Sequence, residues 1–96
     1  MMYINYEVTN KERDEALKKF ILRKEQLGIG TPTLCFIIQR KIKAYRSEIM
    51  MIDRTPINTD AITPRDLLNF INGRRTSLNK LYVILAFLAL VEHEAD

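Results

Sequence analysis

Residues 81–91 read LYVILAFLALV, eleven consecutive apolar or aromatic positions in a chain of 96. No other feature limits the fold so strongly. The run is well short of the roughly 18–20 apolar residues that cross a bilayer. Read as a helix, it is apolar on nearly every side and has to be covered on nearly every side. Two arrangements do this. The helix is central in its own domain, or one face packs on its own domain while the opposite face, with Val83, Phe87 and Leu90, packs on a twofold-related copy. The expectation adopted is the second, a homodimer. A domain of this length has few elements to surround a helix, and soluble monomers rarely leave such a patch in water. Attachment to a membrane surface fits poorly, because the flanks carry no basic polar face.

The rest of the chain reads as one mainly α-helical domain over 1–96, with a short N-terminal strand or extended arm. Met2, Ile4, Tyr6 and Val8 alternate with Tyr3, Asn5 and Glu7, the period of a strand. Thr9-Asn10-Lys11-Glu12 has the form of a capping box and opens a helix over 9–27. Its apolar side is Leu17, Phe20, Ile21 and Leu27, and Gly28 closes it. Thr31-Pro32 predicts a second helix over 31–45, with Thr31 as cap and Pro32 at the first helical position. Leu34, Ile37, Ile38, Ile42 and Tyr45 form its inward stripe, with Gln39, Arg40, Lys41, Lys43 and Arg46 mainly opposite. Residues 46–62 are irregular. Ile49–Ile52 reads either as a buried strand or as one more helical turn, and Pro56 prevents continuation. Thr63-Pro64-Arg65-Asp66 repeats the start signal for a helix over 63–72. Leu67, Phe70 and Ile71 face inward and Gly73 ends it, before a last helix over 77–92.

Charge is unevenly spread. Between residues 40 and 80 nine Lys/Arg stand against four acids, a balance of +5, whereas the tail after Lys80 holds only Glu92, Glu94 and Asp96. Such asymmetry suits a polyanionic partner. A catalytic reading finds little material. The one histidine, His93, and the one cysteine, Cys35, have no pairing that suggests a nucleophile or a zinc site. Gly28-Ile29-Gly30-Thr31 lacks the rest of a phosphate-loop fingerprint. No enzyme, metal or cofactor is expected. A single cysteine and an N-terminus without a basic, apolar leader fit a reducing, cytoplasmic setting.

From Thr63 to Leu88 the order is Thr63, Leu67, Phe70, Asn72-Gly73, Arg74-Arg75, Ser77-Leu78, Leu81, Ile84-Leu85 and Leu88. This resembles the second half of the lambda-repressor-like (phage repressor and Cro-type) helix-turn-helix domains. The preceding residues, DRTPINTDAI, do not carry that family's usual Gln and Leu-Ala, which leaves the 31–45 helix to supply a divergent first half. Leu68 and Ile71 stand where the family is polar, implying a second covered side for this helix. The resemblance implies a recognition helix at 63–72 in the major groove of double-stranded DNA. Arg65, Asp66 and Asn69 would then read bases. Arg40, Lys41, Lys43, Arg74, Arg75 and Lys80 would contact phosphates. The expected protein is a sequence-specific, dimeric transcriptional regulator of phage or mobile-element type. The rival is a helical protein-interaction module, anti-activator or antitoxin-like, that offers its apolar C-terminal helix to a protein partner.

Overall fold

In the computed structural model, which describes residues 1–95, Thr9 opens the first helix as its capping box predicts. Its hydroxyl accepts the Glu12 N–H at 3.1 Å, and helix α1 runs over Asn10–Leu27. Gly28 stops it with a left-handed φ of 64°. Helix α2 covers Thr31–Ala44 with Pro32 in its first turn. Gly30 holds the cap position there, so Thr31 is the first helical residue and makes no cap bond.

Two of the apolar segments outside the helices pair. Strand β1, Met2–Ile4, lies parallel to β2, Ile49–Met51, with Met2 opposite Ile49 and Ile4 opposite Met51. A parallel pair needs a long crossover, and α1 and α2 supply it. Only the first half of the alternating N-terminal segment is strand. The remainder is tied down instead by Tyr82, whose hydroxyl donates to the Tyr6 carbonyl at 2.6 Å and whose ring meets the Tyr6 ring edge-on at 5.7 Å. Beyond β2 the chain turns through Arg54, at φ 70°, and a 3-10 turn at Thr59–Ala61 delivers it to α3, Pro64–Ile71. Helix α4, Leu78–Ala95, completes a domain whose described part has four helices and is 64% helical.

The apolar run is resolved by position. Helix α4 packs against α1, α2, both strands and the 3-10 turn. Val83 is 0% exposed, Phe87 1% and Leu90 2%. Phe87 approaches the Phe20 ring of α1 at 6.5 Å, and Phe20 in turn meets Phe70 of α3 at 5.6 Å, both edge-on. The expected dimer face on Val83, Phe87 and Leu90 is therefore corrected: these residues are the domain's own core. The physical reason is that the two short strands, once paired, and the 3-10 turn close the side that α1 and α2 leave open; neither the pairing nor the turn follows from local periodicity. A radius of gyration of 12.2 Å agrees with the value of about 12.5 Å for one closed domain of this length. No helix among the described residues is long and apolar enough to cross a membrane.

The end of α3 follows from Gly73. At φ 74°, it lets its own N–H reach the Phe70 carbonyl at 3.1 Å and the Arg74 N–H reach the Asn69 carbonyl at 2.9 Å. This is the paired closure of a Schellman motif. A Cβ at Gly73 would meet nothing within 4 Å, so a substitution meets backbone strain and no clash. Gly73→Ala should destabilise by about 1 kcal/mol and Gly73→Asn by less, since Asn tolerates this region. Urea unfolding checks the pair. Equal stability for wild type and Gly73→Ala would mean that the chain does not leave α3 in a left-handed step.

Candidate nucleic-acid interface

Helix α3 divides cleanly into two sides. Leu67 and Phe70 are buried against the core and Ile71 is half-buried. Arg65 and Leu68 face outward, with Asn69 half-exposed between them. Leu68 is 48% exposed, so the second covered side expected from Leu68 and Ile71 is absent at Leu68. The exposed side then continues without interruption through Asn72, Gly73, Arg74 and Arg75.

Asp66 is a correction to the predicted base-reading set. It is only 9% exposed. Its Oδ2 accepts the Thr63 N–H and the Thr63 hydroxyl, each at 2.8 Å, and its Oδ1 accepts Lys80 Nζ at 2.5 Å. Burial pushes the carboxyl pKa upward, but the bonds from Lys80 and Thr63 outweigh it and hold the group below its ordinary range. Asp66 fastens the start of α3 to α4 and has no free oxygen aimed at a groove. Lys80 is corrected with it, since its charge is already spent on that carboxylate. Lys41 is the third correction: it pairs with Glu94 at 2.5 Å and lies 5.9 Å from the Tyr45 ring.

The other cations stand differently. Arg40 is exposed over the Phe36 ring at 5.6 Å, and Lys43 is exposed with only a loose 3.9 Å approach to Asp60. Arg74 and Arg75 are exposed, and Arg74 Nη1 donates to Asn69 Oδ1 at 3.3 Å. That bond occupies the Asn69 carbonyl and leaves its amide N–H groups to donate outward. Among the described residues Arg40, Arg65, Arg74 and Arg75 have no carboxylate partner.

Two residues of α2 fix where α3 begins. Gln39 Nε2 donates to the carbonyls of Thr59 and Ile62 at 3.1 and 3.2 Å, and the Cys35 thiol approaches the same Ile62 carbonyl at 3.7 Å. Gln39 thus faces the 3-10 turn and does not join the solvent-facing basic side expected from its spacing. Burial, with a smaller contribution from Asp66, pushes the Cys35 thiol pKa up, which keeps it protonated and structural. Among the described residues no group of three His, Cys, Asp or Glu side chains is placed to hold a metal.

One further basic element was not visible in the sequence. Arg13, in the first turns of α1, shares an open cleft of about 480 Å³ with Arg74 and Arg75. Its only sequence signal was a cation among the carboxylates of a helix start, which reads as ordinary surface.

Compared with protein-family models, curated proteins and solved structures, the chain matches none.

Proposed function

We propose that the protein is a cytoplasmic, sequence-specific double-stranded DNA-binding regulator with α3 as its recognition helix. Helix α2 packs beside α3 but reaches it through β2 and the 3-10 turn, not through the short turn of a helix-turn-helix. The observation that carries this reading is the continuous outward side of α3, on which Arg65, Leu68 and Asn69 lead into Arg74 and Arg75 with no acid ion-paired to them among the described residues. Arg and Asn suit guanine and adenine edges, and an exposed Leu suits a thymine methyl. The two arginines beyond Gly73, with Arg40 and Lys43 on α2, suit phosphates. The rival protein-interaction reading loses its stated surface, because α4 is covered by the domain itself. A dimer through α4 is dropped for the same reason.

Fluorescence anisotropy on random-sequence duplexes at two salt concentrations tests the reading. Affinity should fall steeply with salt, by a slope of about 0.9 per phosphate contact. Arg74→Ala and Arg75→Ala should each weaken binding on every duplex and lower that slope by about one contact. Asn69→Ala, Arg65→Ala and Leu68→Ala should cost about 1–3 kcal/mol each on a selected site and little elsewhere. Wild-type protein with no salt-dependent affinity for any duplex would end this proposal.

A further inference from the structure

The cleft that Arg13 shares with Arg74 and Arg75 has an unusual charge arrangement for a small domain. Three guanidinium groups and one carboxylate, Asp14, line it, a local balance of +2. Like charges gathered on one concave surface repel one another, and low-dielectric walls intensify their field. The domain does not resolve this with its own acids. Among the described residues Arg13 and Arg75 pair with no carboxylate, and Asp14 forms no ion pair within 4 Å. Arg13 Nε is buried without a hydrogen-bond partner, a state that protein interiors generally avoid. Arg74 is steadied by the Asn69 side chain, and Thr76, a buried residue of the cleft lining, donates to the Arg74 carbonyl at 3.4 Å. The backbone on which Arg74 and Arg75 sit is fixed by the Gly73 closure, so two of the three cations are carried by a rigid turn.

We infer that this cleft is a phosphoryl-group site, in which Arg13 of α1 completes a clamp with Arg74 and Arg75. A planar guanidinium offers paired donors that match tetrahedral oxyanions, and several of them around one anion favour phosphate over a singly charged carboxylate. Asp14 tunes the preference, since a weakly charged ligand would not repay its repulsion. The phosphate is either a link of a nucleic-acid backbone or that of a small phosphorylated molecule. The first case rests on the DNA reading above, and the second does not.

Two titrations of the intact protein separate the cases. In the first, inorganic phosphate is added against sodium chloride of equal ionic strength while amide shifts of residues 10–14 and 73–76 are followed by NMR. In the second, a duplex is titrated at two salt concentrations. A backbone clamp predicts that Arg13→Ala weakens every duplex several-fold and lowers the salt slope by about one contact. Arg13→Lys, which keeps the charge but loses the fork, should recover only part of this. Asp14→Asn, at an exposed position, should tighten binding two- to ten-fold, a gain that loss of folding cannot imitate. A small-molecule site predicts saturable shifts with phosphate that vanish in Arg13→Ala, with duplex affinity unchanged. Duplex binding indifferent to Arg13 and Asp14, together with no phosphate-specific shifts, would overturn the clamp and leave the DNA reading standing. Phosphate shifts without any duplex affinity would do the reverse.

Discussion

Phe87→Glu is expected to abolish folding. Phe87 is 1% exposed and sits in the chain of edge-on rings that ties α4 through Phe20 to Phe70 of α3. Deleting a buried Phe side chain to Ala costs about 3–5 kcal/mol. Placing an ionisable carboxylate in that space adds several kcal/mol more, whether the group stays charged or takes up a proton. A domain of this size has a total stability of about 5–14 kcal/mol, so the two effects together are of the same size as the whole. The variant should lose its cooperative thermal transition and bind a hydrophobic dye, while Phe87→Leu should fold and melt somewhat lower. Read from the sequence alone, the same substitution would merely separate two copies. A folded, monomeric Phe87→Glu protein with a sharp melting transition would favour the dimer expectation and displace Phe87 from the core.

The contrast shows where sequence reasoning runs out. The helix starts at Thr9 and Thr63 and the stops at Gly28 and Gly73 are local, each written within a few consecutive residues, and all four are found where the sequence puts them. What surrounds α4 is not local. The pairing of Met2–Ile4 with Ile49–Met51 joins segments 47 residues apart in register; each segment carries a strand pattern of its own, but nothing local says that the two pair. Without that pairing one side of α4 is left bare, and a second copy is the natural cover for it. The same limit applies to the candidate interface. Arg74 and Arg75 follow from their place after Gly73, whereas Arg13 reaches them only through the packing of α1 beside the α3–α4 turn. Leu68, expected to be covered because it is apolar, is exposed because Leu67 and Phe70 already fill the inward side.

Asp66 illustrates a third kind of miss, a residue whose local role was legible and whose distant partner was not, and its substitution should have the second-largest effect. The spacing from Thr63 predicts the reciprocal cap that is present. Lys80, fourteen positions on and across the turn, converts that cap into a joint between α3 and α4. Asp66→Ala removes the cap acceptor and leaves Lys80 without its carboxylate, and should destabilise by about 2–4 kcal/mol. Asp66→Asn keeps an acceptor for Thr63 and should cost about 1–2 kcal/mol. Because the folded-state pKa lies below the ordinary value of about 3.9, the carboxylate contributes fully above that ordinary value, and its contribution is lost as pH falls through the folded pKa. The stability gap between wild type and Asp66→Asn, measured by urea unfolding, should therefore be constant from pH 7 to about pH 5 and shrink below about pH 4. Lys80→Met should shrink it in the same way at neutral pH, since the ion pair is then missing from both proteins. With Lys80 already neutralised, Lys80→Met should also leave the salt dependence of duplex binding unchanged, unlike Arg74→Ala or Arg75→Ala. A gap that persists undiminished at pH 2, or a salt slope that falls by a full contact in Lys80→Met, would mean that Lys80 faces the nucleic acid and that Asp66 does not hold it.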